Sequence, residues 1–93
     1  MLQRVRAHLI ITGVVQGVYY RVTARQEARA LGINGWVKNR PDGAVEAVIE
    51  GNREKVVKFI DWSRQGPSAS QVSGVQVEWG DFKGEYQGFS IVG

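Results

Sequence analysis

The spacing of apolar residues switches between two periods along this chain, and the order of the switches restricts the fold more than any other feature. Residues 6–12 alternate in the way of a half-buried strand, with Ala7, Leu9 and Ile11 on one side. Residues 20–31 instead repeat apolar side chains every three or four positions, which predicts a helix. The pattern therefore predicts a strand, a short loop and then a helix.

Turn and capping residues divide the rest of the chain. Gly32 is placed to end the first helix. Asp42 and Gly43 lie between two short strand-like runs, and their turn chemistry predicts a hairpin. Asn52 is placed to cap a second helix, and Gly66 is placed to end it. The remaining predicted strands cover residues 36–39, 44–50, 75–79 and 89–91.

The resulting order of elements predicts an α+β fold. Strand, helix, strand, strand, helix, strand matches a ferredoxin-like βαββαβ sandwich, with two helices on one face of an antiparallel sheet and a short additional C-terminal strand. Residues 1–93 contain no repeat or linker, so we expect a single domain. This architecture carries many unrelated functions, and the function must be sought in particular residues.

Composition and charge exclude some functions and leave others open. The chain has no cysteine and one histidine, His8, which excludes disulfides, thiolate metal sites and a histidine cluster. Twelve Lys and Arg against nine Asp and Glu give a net charge of +3, which favours anionic partners of any kind. No apolar run approaches the ~20 residues of a spanning helix. We expect a cytoplasmic protein without a membrane partner.

The stretch GVVQGVYYR, residues 13–21, has the composition of an anion-binding loop. It lies between a predicted strand and a predicted helix, where free backbone N–H groups and the helix dipole favour an anion. Gly13 and Gly17 would let the chain turn and let a ligand approach the backbone. Arg21 would add a planar donor fork for two phosphate oxygens. Alternatively, the glycines only turn the chain and Arg21 is a solvated charge.

Two stretches of the chain closely resemble the signatures of the acylphosphatases. GVVQGVYYR resembles G-x-V-Q-G-V-x-(F/Y)-R, and GWVKNRPDGAVE, residues 35–46, resembles G-W-V-x-N-x-x-D-G-x-V-E. The likeness continues through LGINGW, EGNREKVVKFIDW, QGPSASQVSGV and the closing FSIV, so that it covers essentially the whole chain.

The resemblance implies the hydrolysis of a small acyl phosphate to a carboxylate and inorganic phosphate, without a metal or any other cofactor. It places the phosphate-binding arginine at Arg21 and a water-positioning asparagine at Asn39. The implied cradle of backbone amides consists of Val15, Gln16, Gly17, Val18, Tyr19 and Tyr20. We expect a monomer that binds no nucleic acid.

Tyr19 departs from many bacterial relatives, which carry glycine at this position. A positive φ there would strain a tyrosine. We expect instead that Tyr19 tolerates the loop and lines or narrows the mouth of the pocket.

Several other residues are expected to have ordinary structural roles. We expect His8 to be structural, Asp42 to serve the turn and Glu46 to be an ordinary exposed residue. The tryptophans Trp36, Trp62 and Trp79 are expected to pack rather than to stack on bases.

Two functions of other classes stay open at this point. An RNA-binding module would need an aromatic-rich central strand, whereas AVEAVIE offers glutamates. A phosphate-sensing module would need the cradle but no water placement. The presence of both Arg21 and Asn39 argues against it.

Overall fold

The computed structural model describes residues 3–93, which form one five-stranded sheet and two helices. The strands are β1 (Arg4–Val14), β2 (Asn34–Asn39), β3 (Val45–Asn52), β4 (Gln71–Asp81) and β5 (Phe89–Ile91), and the helices are α1 (Tyr20–Leu31) and α2 (Arg53–Gln65). The predicted order of elements and the ferredoxin-like class are confirmed. β1 and β4 are longer than predicted, because backbone pairing between them continues beyond the residues that alternate.

The sheet has the strand order β4-β1-β3-β2-β5. β1 pairs antiparallel with both β3 and β4, and β2 pairs antiparallel with β3. The predicted additional strand, β5, is present, but it runs parallel to β2. The four strands of the predicted antiparallel sheet are confirmed, and the additional fifth strand makes the whole sheet mixed, because the chain crosses the sheet before β5 and pairs it with β2.

Both helices pack on the same face of the sheet and enclose the core. The predicted inward residues of β1 are confirmed, since Ala7, Leu9 and Ile11 are at most 1% exposed. The side chains that meet them from the other elements are Val37, Val45, Ala47, Ile49, Tyr20, Ala24, Ala28, Val56, Phe59, Ile60 and Phe89. Burial of this apolar surface provides the main favourable contribution to folding.

The predicted helix boundaries are confirmed by the hydrogen bonds at the helix ends. The Asn52 side chain accepts a hydrogen bond from the Glu54 backbone N–H at 2.9 Å and so caps α2. Gly32 has a φ of 69° and closes α1, and Gly66 donates to the Trp62 carbonyl oxygen at 2.9 Å. None of the helices within residues 3–93 is both long and apolar enough to cross a membrane.

The segment 82–88 lies across part of the open face of the sheet. The Lys83 backbone N–H donates to the Glu50 carboxylate at 2.7 Å, and Arg6 pairs with Glu85 at 2.7 Å. Glu50 is consequently only 1% exposed, although it lies on the face without helices. Glu46 and Glu50 both lie on this face of β3, and segment 82–88 covers Glu50.

Two expectations about single side chains are wrong. Glu46 is 19% exposed rather than freely solvated, because its Oε2 lies 2.6 Å from Nε2 of His8 on the neighbouring strand. Trp62 packs against the core as predicted, but Trp79 is 47% exposed. The Arg53 guanidinium lies 5.6 Å from the centre of the Trp79 ring, so a cation covers part of this aromatic surface.

Candidate active site

The loop of residues 15–19 connects the end of β1 to the start of α1. Its first residue, Val15, is 1% exposed and fixes the loop to the core, while Val18 packs against the core from the other end. The backbone between them is thereby held at the surface, at the N-terminus of a helix of 12 residues.

The two glycines of the motif have different roles. Gly17 has a φ of 75° and open space around its Cα, so only its backbone conformation favours glycine. Gly13 lies where the register of β1 and β4 shifts, and a Cβ there would overlap the Gln71 carbonyl oxygen. The expectation that Gly13 leaves room for a ligand is therefore wrong, because its missing side chain lets two strands approach.

The loop presents a row of free backbone donors. Within residues 3–93, the N–H groups from Gln16 to Val22 donate to no backbone or side-chain acceptor, and the first helical hydrogen bond is that from Thr23 to Tyr19. The first turn of α1 holds no acidic residue, and no side chain caps it. Unpaired N–H groups at a helix N-terminus create a positive potential that attracts an anion.

A cleft of about 300 Å³ opens beside these donors. The described residues that line it are Val15, Gly17, Tyr19, Tyr20, Arg21 and Val22. Arg21 supplies the charge of this lining, and its guanidinium forms no ion pair with any carboxylate of residues 3–93. Five residues of the predicted phosphate site thus surround one cleft, while Gln16 and Val18 are outside its lining.

The side chain of Gln16 ties the loop to the β2–β3 hairpin. Its Nε2 donates to the carbonyl oxygens of Arg40 at 2.8 Å and Ala44 at 2.9 Å. Gln16 was expected among the backbone donors only, and this side-chain contact was not predicted. The signal that could have found it is a single long amide in an otherwise apolar loop, since a buried amide needs hydrogen-bond partners.

The hairpin carries Asn39, the last residue of β2, next to Arg40. Asn39 does not line the cleft within the described chain. Its Oδ1 is nevertheless buried and accepts no hydrogen bond from residues 3–93. A buried acceptor without a partner is uncommon, because it forgoes a hydrogen bond to water without replacing it. The hydrogen bond from Gln16 ties the next residue, Arg40, to the loop.

Asp42 serves the turn of the hairpin, as predicted. Its Oδ1 accepts from the Ala44 backbone N–H at 3.1 Å, and its Oδ2 lies 3.0 Å from an Arg40 nitrogen. The hydrogen bond from Ala44 and, secondarily, the charge of Arg40 hold the pKa of the Asp42 carboxyl below its usual value. The positive charge of Arg40 is therefore paired within the hairpin.

Two neighbouring tyrosines start α1 in different environments. Tyr20 is 2% exposed, and its hydroxyl donates to the Ser63 carbonyl oxygen at 2.8 Å, so it anchors α1 to α2. Burial raises the pKa of the Tyr20 phenol well above its usual range. Tyr19 is 79% exposed and has a φ of 64°, the one positive φ among the non-glycine residues of 3–93. The loop therefore places Tyr19 at a positive φ, a conformation that is strained for a tyrosine. We had expected Tyr19 to tolerate the loop without this strain.

Among residues 3–93, no three His, Cys, Asp or Glu side chains lie close enough together to hold a metal ion. The pair His8 and Glu46 lies on the open face of the sheet, apart from the cleft lining. The hydrogen bond to His8 lowers the pKa of the Glu46 carboxyl, and the charge of Lys38 adds to this effect.

The fold and the cleft together define a small α+β protein whose cleft lies beside unpaired backbone N–H groups at a helix N-terminus. Comparison with known proteins gives the family. The family model described as Acylphosphatase matches residues 7–91. The chain is 54% identical to an acylphosphatase of Pelotomaculum thermopropionicum over 90 residues, which cover 97% of this chain and 98% of the relative.

Further relatives agree in sequence and in structure. An acylphosphatase of Thermococcus kodakarensis is 52% identical over 92 residues, which cover 99% of this chain and all of the relative. The solved structure of an acylphosphatase from Coxiella burnetii superposes with a TM-score of 0.91 at 34% identity, covering 96% of this chain and 93% of that one. The chain belongs to the acylphosphatase family.

Proposed function

We propose that this protein hydrolyses the carboxyl–phosphate bond of small acyl phosphates, giving a carboxylate and inorganic phosphate, without a metal. The observation that carries the proposal is the cleft in which unpaired N–H groups from Gln16 to Val22 lie beside the unpaired charge of Arg21. Membership of the acylphosphatase family supports the same reaction class.

The phosphoryl group binds in this cleft through charge and hydrogen bonds. The Arg21 guanidinium offers two parallel donors to two of the three phosphoryl oxygens, and the loop amides from Val15 to Tyr20 donate to the third. Such preorganised donors stabilise the charge that spreads over these oxygens in the transition state. The leaving group is a carboxylate of low pKa, which needs little help from a general acid.

Asn39 positions the attacking water. Its side-chain amide, one residue from the Arg40 carbonyl group that Gln16 binds, forms a hydrogen bond with the water and turns the water oxygen towards phosphorus, opposite the leaving oxygen. The new bond joins the water oxygen to phosphorus as the bond between phosphorus and the carboxylate oxygen breaks. The water proton passes to a non-bridging phosphoryl oxygen. The hydrogen bonds from Gln16 to the carbonyl oxygens of Arg40 and Ala44 fix the position of the hairpin that carries Asn39 relative to the loop.

One chain supplies every group in this mechanism, which supports a monomeric enzyme. The cleft residues, the Gln16 tether and Asn39 come from a single copy and need no partner subunit. We propose that the enzyme acts on a soluble, cytoplasmic substrate.

The test is the hydrolysis of benzoyl phosphate by purified protein in excess chelator, with Arg21→Ala and Asn39→Ala as variants. We expect metal-independent turnover in the wild type, loss of phosphate binding in Arg21→Ala, and retained phosphate binding with reduced turnover in Asn39→Ala. Arg25→Ala, one turn further along α1, is the matched control and should keep activity.

Each failure has a distinct meaning. A folded wild type that binds phosphate without turnover would identify a phosphate-sensing module and overturn the proposal. Turnover that disappears with the chelator and returns with a divalent cation would refute the metal-free mechanism. Full turnover in Asn39→Ala would remove its assigned role in positioning water.

A further inference from the structure

Apart from Arg21, the side chains that line the cleft are those of valines and tyrosines. The side chains of Val15 and Tyr20 form its buried walls, at 1% and 2% exposure. Tyr19 and Val22 lie at its mouth, at 79% and 40% exposure, and we refer to these two residues as the apolar rim. No carboxylate lines the cleft within residues 3–93.

The apolar rim does not stabilise the fold in any way that the structure shows. Neither Tyr19 nor Val22 belongs to the core or packs against it, and neither side chain forms a hydrogen bond within residues 3–93. Large apolar side chains that remain in solvent beside a binding cleft are available to a ligand.

The backbone of Tyr19 strengthens this argument. A φ of 64° is unfavourable for a bulky side chain, whereas glycine adopts it freely and would serve the turn equally well. Strained residues of this kind persist at ligand sites, where the side chain has a use that offsets its conformational cost. Within residues 3–93, the exposed ring of Tyr19 packs against no part of the core and so has no such use there.

We infer that the apolar rim binds the acyl group, and that the substrates of this protein are acyl phosphates with an apolar, above all aromatic, acyl group. The inference rests on the proposed function. With Arg21 engaged by the phosphoryl group, a flat hydrocarbon acyl group would contact the Tyr19 ring and the Val22 methyl groups. An acyl group with a second anionic centre would meet no further cation in the lining, since Arg21 is the one cation among the described lining residues.

The test compares kcat/KM for benzoyl phosphate and acetyl phosphate in the wild type and in variants of the apolar rim. The ratio of the two values is compared between proteins, so that the intrinsic reactivities of the substrates cancel. Tyr19→Asn removes the ring but keeps a residue that tolerates positive φ, and Tyr19→Phe keeps the ring. Val22→Thr removes apolar surface without changing shape, and Val92→Thr is its control, because Val92 is 39% exposed and lies outside the cleft lining.

We expect the ratio of benzoyl to acetyl phosphate to fall about tenfold in Tyr19→Asn, the effect of losing one apolar contact surface. Val22→Thr should lower it by a smaller factor, while Tyr19→Phe and Val92→Thr keep the wild-type ratio. A ratio that stays unchanged in Tyr19→Asn would overturn the inference. An equal loss for both substrates would also overturn it, because Tyr19 would then act on the loop alone.

Binding of phenylphosphonate and methylphosphonate, measured by calorimetry, separates this inference from the proposed function. These analogues carry the phosphoryl charge but cannot be hydrolysed as acyl phosphates. Tighter binding of phenylphosphonate, lost in Tyr19→Asn, would support the apolar rim even if no acyl phosphate were turned over. Equal affinity of the wild type for both analogues would overturn the inference even if turnover were fast.

Discussion

Gln16 joins two segments that are far apart in sequence: its Nε2 donates to the carbonyl oxygens of Arg40 and Ala44, at 2.8 and 2.9 Å. Both acceptors lie in the turn of the β2–β3 hairpin, directly after Asn39. One side chain therefore sets the position of the hairpin relative to the loop of residues 15–19.

We predict that Gln16→Ala lowers the free energy of unfolding by about 1–2 kcal/mol, because two carbonyl oxygens lose a donor. It should also lower kcat about tenfold, with a smaller change in KM, because the hairpin is no longer held against the loop. Chemical denaturation and steady-state kinetics measure the two effects. Gln26→Ala, an exposed glutamine on α1, is the control, and an equal effect of both substitutions would contradict the prediction.

Arg21→Lys tests whether the shape of the cation matters as well as its charge. Lysine keeps the positive charge but lacks the planar fork that matches two phosphoryl oxygens. We predict that kcat/KM for benzoyl phosphate falls about 100-fold, whereas stability stays unchanged because Arg21 forms no ion pair within residues 3–93. Arg25→Lys should retain the wild-type value, and full activity in Arg21→Lys would refute bidentate binding.

The two glycines of the loop motif should respond differently to alanine. Gly13→Ala places a Cβ against the Gln71 carbonyl oxygen, and we expect it to cost about 3 kcal/mol of stability. Gly17→Ala meets no atom and carries only the penalty of a positive φ, about 1 kcal/mol. Urea denaturation distinguishes them, and equal costs would show that β1 and β4 do not approach closely at Gly13.

The hydrogen bond between Glu46 and His8 should contribute to stability in mild acid. The pKa of Glu46 in the folded protein lies below its ordinary value of 4.5, mainly because of the hydrogen bond to His8. The contribution of ionised Glu46 to the free energy of unfolding is therefore complete above pH 4.5. It disappears as the pH falls through the pKa that Glu46 has in the folded protein.

We predict that the free energy of unfolding of Glu46→Gln depends less on pH between about 5 and 3 than that of the wild type. Denaturation curves at a series of pH values measure the slope. Glu27→Gln, on α1 and in no ion pair within residues 3–93, should keep the wild-type slope. An identical slope in Glu46→Gln would show that the contact with His8 has no energetic consequence.

The sequence was sufficient to predict the elements whose limits depend on local chemistry. α1 begins and ends where its apolar spacing and Gly32 indicate, and α2 begins at the cap formed by Asn52. The inward side of β1 follows directly from its alternation. These features depend on residues within one or two turns of each other, and sequence patterns report such short-range effects well.

The remaining features depend on contacts between distant segments. The direction of β5 follows from the path of segment 82–88 across the sheet, which no local pattern records. The acceptors of Gln16 are backbone carbonyls, so their residue types give no signal. The positive φ of Tyr19 is imposed by the loop against the preference of the residue itself. The roles of Arg21 and Asn39 stay predictions that rest on family resemblance and on the geometry of the cleft.

The position of β1 inside the sheet, between two strands that follow it in the chain, has a consequence for how the chain folds. β1 precedes β3 and β4 in the chain and lies between them, and its pairing with β4 joins residues as distant as Val5 and Asp81. Because such distant pairings require large loops to close, they slow the crossing of the folding barrier. The emerging chain therefore has an incomplete sheet, with an unpaired edge on β1, until β4 leaves the ribosome.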